Sequence, residues 1–326
     1  MALYPLTFQP IFKERVWGGR RLADLYQKKL PANVPIGESW EITDRPEGVS
    51  VITNGTFAGK DLRWLMEHHG AELLGPAKPQ SGRFPLLVKL LDAQDDLSLQ
   101  VHPPAHKAAE LGGEPKTEMW YVAHATHDAQ IYVGLKNGVT REDFERKVND
   151  GTVADCFHRH TVHAGDVMFL PSGRVHALGA GSVIFEIQQN SDTTYRVFDW
   201  NRKGLDGKPR ELHLEQAMKS IDFNDFEPAM QAAASTASAI SSRRSLVDHD
   251  LFTVDLLALP PKSSAQLPHT GPLVIAATQG SVTIFSSGDP VHLYTGQFAV
   301  IPASVSAVTL QTSAITRASV LVAEAR

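Results

Sequence analysis

The stretch GDVMFLPSGRVH, from Gly165 to His176, has a gapless echo later in the chain: GQFAVIPASVSA, from Gly296 to Ala307. Gly165 meets Gly296, Pro171 meets Pro302, and the apolar positions between them correspond. Each copy reads as a short apolar strand running into a proline-containing turn, so the repeat implies two similar β structures in one chain. The copies part at their last position, where His176 falls on Ala307. The second copy keeps the turn and lacks the side chain that could bind a ligand, which makes it structural.

The rest of the chain fits that picture. RFPLLVKLLDA, LSLQVH, MWYVAH, AQIYVGL, DVMFLP and SVIFEIQQ precede the later set LFTVDLLAL, PLVIAATQ, SVTIFSS, QFAVIPA and SAVTLQT. All are short, rich in Val, Ile, Leu or Phe, and bounded by Gly, Pro, Asn, Asp or Ser. Many such strands at short spacing predict a mainly β protein of antiparallel sandwiches or barrels. Helices enter as insertions. DLRWLMEHHGAELLG has helical spacing and stops at Gly75, Thr140 to Asp143 is a capping arrangement before FERKV, and HLEQAMKSI forms a further short helix. Residues 229–242, AMQAAASTASAISS, are an Ala/Ser tract that reads as a linker or as a short surface helix. Either places a boundary between a catalytic unit of residues 1–228 and a second unit of residues 243–326.

With 326 residues the chain can form one large core or two to three smaller ones. A net charge of −5 gives no basic footprint for nucleic acid, although a site for a small anion can be locally positive. Cys156 is the only cysteine, which excludes an internal disulfide and cysteine-based zinc sites. The N-terminus lacks a basic region followed by a long apolar one, and no run approaches the roughly 18 apolar residues of a membrane span. The expectation is a soluble, cytoplasmic protein, monomeric or homodimeric, whose partner is a small molecule rather than nucleic acid or a membrane.

Gln100 and His102 are two apart, so on a strand they share a face while Val101 points away. Glu118 would join them from TEMWYV, and His176 from the later hairpin. Two imidazoles, a carboxylate and an amide oxygen suit a divalent metal, zinc first, with manganese, iron or cobalt as substitutes. Any single histidine among fourteen is ordinarily a surface or hydrogen-bonded group. These are set apart because several compatible residues arrive together at strand-compatible spacing.

GDVMFLPSGRVH resembles the second cupin motif, G-x5-P-x-G-x2-H, at every specified position, and Gln-x-His followed by Glu resembles a variant of the first. PKTEMWYV, FEIQQNSDTTYRVFDW, RVWGGRRL and GESWEITDRPEGVS are similar to segments of the type I mannose-6-phosphate isomerases in their short bacterial form. The resemblance spans nearly the whole chain and weakens toward its C-terminal end. It implies two cupin (jelly-roll β-barrel) domains with helical insertions, the second degenerate and without metal ligands. It also implies one zinc ion per chain on Gln100, His102, Glu118 and His176, and a sugar phosphate as substrate. The implied reaction interconverts mannose 6-phosphate and fructose 6-phosphate by proton transfer through a cis-enediol.

Lys116, Asp192 and Arg196 match positions that this family uses around its substrate. Moving a proton between adjacent carbons requires a base and stabilisation of the developing oxyanion. Arg196 offers a planar cation for the enediolate or the phosphate, Lys116 an acid/base or an anion binder, and Asp192 a general acid/base, with Lys116, Asp192 and a metal-bound water the three candidates for the base. Each has a plainer reading: Lys116 paired with Glu114, Asp192 capping the turn after FEIQQ, and Arg196 facing solvent. Glu186 shares a face with Gln188 and can support a ligand histidine. The chain has no GxxxxGK[ST] loop, no GxGxxG after a strand and no GxSxG elbow, so phosphate would fall to scattered side chains. The long helical domain of the larger family members is missing. Two other functions compete: isomerisation of another sugar or sugar phosphate on the same site, and a non-catalytic sugar-phosphate-binding cupin with a structural metal.

Overall fold

A computed structural model describes residues 2–232 and 241–326. Residues 233–240, the greater part of the Ala/Ser tract, lie outside the described residues, and the linker reading with them.

Strands dominate, as the residue pattern requires, and they form two pairs of antiparallel sheets. The first pair begins with a six-stranded sheet in the order Ile11–Gly19, Ile36–Ile42, Leu86–Ala93, Ser182–Gln189, Glu118–Ala125, Val167–Leu170. Its partner has five strands in the order Tyr195–Phe198, Leu99–Val101, His176–Leu178, Gln130–Leu135, Phe157–Thr161. The later pair has a five-stranded sheet, Ser242–Asp248, Phe252–Leu259, Ala318–Ala325, Leu273–Gln279, Phe298–Ile301. Four strands complete it: Ser264–Gln266, Thr309–Thr312, Ser281–Phe285, Val291–Tyr294.

The short sequence repeat is therefore a repeat of topology. Val167–Leu170 and Phe298–Ile301 are equivalent edge strands, and Gly165 (φ 94) and Gly296 (φ 78), which precede them, are both left-handed. Leu170 pairs with Glu118 just as Ile301 pairs with Leu273, so the carboxylate position of the first copy is a leucine in the second. The mainly β, cupin-like fold with a degenerate second copy is as expected.

Strand alternation decides what faces the site. Along Ser182–Gln189, Val183, Phe185 and Ile187 enter a core shared with the second pair of sheets, while Ile184 enters the interior of the first pair. Glu186 and Gln188 fall on the side of Ile184. Along Glu118–Ala125, Met119 and Tyr121 join the shared core, whereas Trp120 and Val122 face inward on the side of Glu118. On the five-stranded sheet Leu99, Val101 and Ala177 turn outward to a third core, which also takes Phe144 and Ala217 from helices Arg141–Asp150 and Leu214–Ser220. That leaves Gln100 and His176 pointing inward. Covered on both faces, Ile36–Ile42, Leu86–Ala93 and Ser182–Gln189 are buried at every residue, and the near-continuous apolar run LLVKLLDA reflects this.

The helices start and stop where their caps do. Asp61 accepts from Trp64 N ahead of Leu62–Leu74, and Thr140 accepts from Asp143 N ahead of Arg141–Asp150. Leu6 exchanges two backbone hydrogen bonds of 2.8 Å with Val300, which stitches the start of the chain to the second copy. Among the described residues no helix is long and apolar enough to cross a membrane.

Candidate metal centre and adjoining cavity

Gln100 lies directly opposite His176 in the five-stranded sheet, His102 follows two residues on, and Glu118 opens its strand in the facing sheet. Backbone carbonyls fix both imidazoles. His102 Nδ1 donates to Thr193 O at 2.7 Å and His176 Nδ1 to Arg174 O at 3.0 Å. With that tautomer each Nε2 presents a lone pair. His102 Nε2 lies 3.6 Å from Glu118 Oε2, and His176 Nε2 lies 3.3 Å from Glu118 Oε1. One donor atom from each of the three residues lies within 4.8 Å of the other two.

The cluster is buried and incompletely satisfied. His102 and His176 are 1% exposed and Glu118 is 0% exposed. His102 Nε2 and both Glu118 oxygens make no hydrogen bond, although Lys116 Nζ stands 2.8 Å from Oε2. Leaving a buried atom such as His102 Nε2 unpaired costs about 1–3 kcal/mol, and Lys116 meets only one oxygen of the carboxylate, so their convergence fits a cation among them. Gln100 Nε2 is 3.3 Å from His176 Nε2, and a half-turn of the amide exchanges its nitrogen for oxygen. Two neutral imidazoles, a carboxylate and an amide oxygen together match the donor preferences of a divalent metal.

The electrostatics keep the donors in ligand form. Burial pushes His176 down to about 3 and lowers His102, where the Lys116 ammonium adds to the effect. Burial alone would raise Glu118, but the Lys116 ammonium beside it outweighs this and holds the carboxyl well below the usual range. Lys116 is raised: burial works against its charge, and Glu118 and Glu186 overcome it.

Gln100 and Lys116 also line a cavity of about 560 Å³, and Asp192, Arg196, Lys89 and Trp17 line it too. The three residues expected around a substrate thus share one space beside the cluster. Their plainer readings do not describe them. Glu114 pairs with Arg45, leaving Lys116 to Glu118. Asp192 accepts from Lys89 Nζ at 3.0 Å, while the turn beside it is held by Ser191 Oγ, which accepts from Thr193 N. Arg196 is partly buried: Nη1 donates to Glu211 O at 2.8 Å, and Nε is buried without a hydrogen-bond partner. One expectation needs correction. Glu186 supports no histidine, because backbone carbonyls already occupy both Nδ1 atoms; it accepts from Trp120 Nε1 at 3.1 Å.

The residue pattern did not reveal the charge network behind Asp192. Lys89 Nζ lies 3.0 Å from Asp192, 3.5 Å from Glu38 and 3.7 Å from Glu186. Glu38 also takes Arg15 Nε at 2.7 Å and Trp40 Nε1 at 2.6 Å. Burial disfavours the Lys89 charge, but the three carboxylates outweigh it and raise the group above its ordinary value. The available signal was the lysine in the middle of LLVKLLDA, a charge that a strand covered on both faces tolerates only with buried partners.

Comparison with known proteins agrees with this geometry. The family model for the type I phosphomannose isomerase catalytic domain matches residues 6–114. The mannose-6-phosphate isomerase ManA of Bacillus subtilis is 43% identical over 227 residues, 68% of this chain and 69% of that protein. A mannose-6-phosphate isomerase of Streptococcus mutans is 37% identical over 284 residues, 86% of this chain and 87% of that protein. The crystal structure of the mannose 6-phosphate isomerase from Bacillus subtilis superposes with a TM-score of 0.88 at 30% identity, covering 99% of this chain and 100% of that one.

Proposed function

This chain belongs to the type I phosphomannose isomerase family, and from that premise we propose a cytoplasmic mannose-6-phosphate isomerase with one zinc ion on Gln100, His102, Glu118 and His176. It interconverts mannose 6-phosphate and fructose 6-phosphate through a cis-enediol. The observation that carries the reading is a buried cluster with donor atoms within 4.8 Å of one another, beside a cavity lined by Lys116, Asp192 and Arg196.

When bound, the ion supplies a Lewis acid that polarises the substrate's carbonyl and neighbouring hydroxyl. The protein's own side chains do the rest. The reaction takes a proton from C2 of the aldose and returns one to C1, while the hydroxyl proton passes from O2 to O1, so nothing is gained or lost. Asp192 carries the carbon-bound proton. Its side chain is 33% exposed, whereas Glu38 and Glu186 are 9% and 4% exposed and enclosed by partners. Lys89 Nζ, 3.0 Å from Asp192 Oδ1, orients that carboxylate. Arg196, which lines the cavity, offers its guanidinium to negative charge on the enediolate or phosphate, and Lys116 places an ammonium next to Glu118. Residues 1–228 form the catalytic unit and 243–326 a structural one, joined through 229–242; Leu273 at the register of Glu118 supports that division.

The test is isomerase assay of the purified protein after chelation and after zinc, manganese or cobalt is restored. Activity should vanish with the metal and return with it. Turnover untouched by complete metal removal would refute the ligand assignment. Stoichiometric metal without turnover of mannose 6-phosphate would make the protein a binding module.

A further inference from the structure

Between strand Tyr195–Phe198 and helix Leu214–Ser220 the chain makes a hairpin that the chemistry above leaves unused. Gly204, Leu205 and Asp206 line the same cavity as Gln100 and Lys116. Leu205 is 55% exposed, a large apolar side chain at the rim of a charged cavity. The tip holds itself together: Lys203 bridges Pro209, Gly204 N donates to Lys208 O at 2.7 Å, and Gly207 N donates to Gly204 O at 3.0 Å. Its base is held by one carboxylate and by the carbonyls of Asp96 and Leu97, which accept from Arg202 Nη1 and Trp200 Nε1. Asp199 accepts from Arg202 on the outgoing limb at 2.8 Å and from Arg210 on the returning limb at 2.6 Å. At the start of the outgoing limb, Trp200 (φ 57) and Asn201 (φ 54) are consecutive left-handed residues, a conformation that side chains with a Cβ avoid. The tip is a self-bonded unit carried on a latch and a strained turn, the construction of a part that moves as one body.

We propose that the Lys203–Pro209 hairpin closes over the bound sugar phosphate, with Leu205 keeping water from the proton in transit; this rests on the isomerase reading. The proton leaves C2 for a carboxylate and returns to C1 of the same molecule. It reaches C1 unexchanged only if solvent cannot meet the carrier while the enediol lives.

The experiment runs metal-loaded, full-length enzyme on mannose 6-phosphate in D₂O and reads deuterium at C1 of the fructose 6-phosphate formed at low conversion. Leu205→Gly should raise KM at least about threefold and deuterium content about twofold, and Leu205→Met, which refills the position, should bring both back toward the wild type. Saturating mannose 6-phosphate should also slow tryptic cleavage after the exposed Lys203. Wild-type turnover together with unchanged KM, unchanged deuterium and unprotected Lys203 overturns the closure alone. A wild-type protein that does not turn over mannose 6-phosphate overturns the isomerase reading and the closure with it.

Discussion

Glu186→Gln should remove a large part of the pH dependence of folding stability. Glu186 is 3% exposed, and burial is the main influence on its carboxyl. Lys116 and Lys89 favour its charge, Glu118 and Glu38 oppose it, and the balance leaves the group pushed up to about 7 from an ordinary value of 4.5. The folded chain therefore holds this proton more tightly than the unfolded chain. The associated stability is fully present below about pH 4.5 and is lost as pH rises through 7. At 1.36 kcal/mol per pH unit, a displacement from 4.5 to about 7 corresponds to about 3 kcal/mol. The glutamine keeps an oxygen for Trp120 Nε1, 3.1 Å away in the wild type, and cannot ionise. Urea unfolding of chelator-treated protein at pH 5 and pH 8 measures the difference: some of the loss has occurred by pH 5, so the wild type should lose about 2.5 kcal/mol relative to the variant over that interval. A metal beside Glu118 adds positive charge, so the zinc-loaded pair should differ less. Parallel profiles for wild type and variant without metal would refute the reasoning, because Lys89 and Lys116 would then already neutralise the ionised group in full.

His176→Ala should lose metal and activity together, whereas Arg196→Ala should keep stoichiometric metal, measured by elemental analysis, and lose activity. Asp192→Asn should lower kcat about 100-fold or more with metal content unchanged, as expected when a proton carrier is removed. Phe185→Ala opens a cavity in the core shared by the two halves, where the ring lies 5.8 Å from Tyr26, 6.1 Å from Tyr121 and 5.5 Å from Phe298. It should cost about 3–5 kcal/mol in chemical denaturation, and a loss below about 1 kcal/mol would show that the halves do not share that core energetically.

The fold was legible to the extent that one periodicity determined it. Strands such as SVIFEIQQ and AQIYVGL sit almost where their composition places them, and Asp61, Gly75 and Thr140 bound their helices as local chemistry dictates. Gln100 and His102 were readable because a two-residue step fixes a shared face. The Lys89–Glu38–Glu186–Asp192 network was not, since its members come from separate strands and a loop, and only the sheet order makes them neighbours. The role expected for Glu186 failed for a related reason. Facing the right side does not say which polar atom a carboxylate meets: Glu186 takes Trp120 Nε1, while backbone carbonyls hold both Nδ1 atoms.

The two copies show what the site costs the fold. In the later copy the register position of Glu118 is Leu273, 2% exposed and part of the apolar core that also holds Ile301, Val322 and Leu310. The earlier copy fills the equivalent space with two neutral imidazoles and an ionised carboxylate whose oxygens make no hydrogen bond. An apolar replacement of similar volume satisfies a jelly-roll interior better than such a group does, unless a cation completes it. The reverse change follows from the same reasoning. Leu273→Glu should bury a carboxylate with neither Lys116 nor the two histidines beside it, and should destabilise the chain by several kcal/mol without creating a second metal site. A second equivalent of zinc bound by that variant in titration calorimetry would show that the turn alone, rather than the three buried polar side chains, makes the centre.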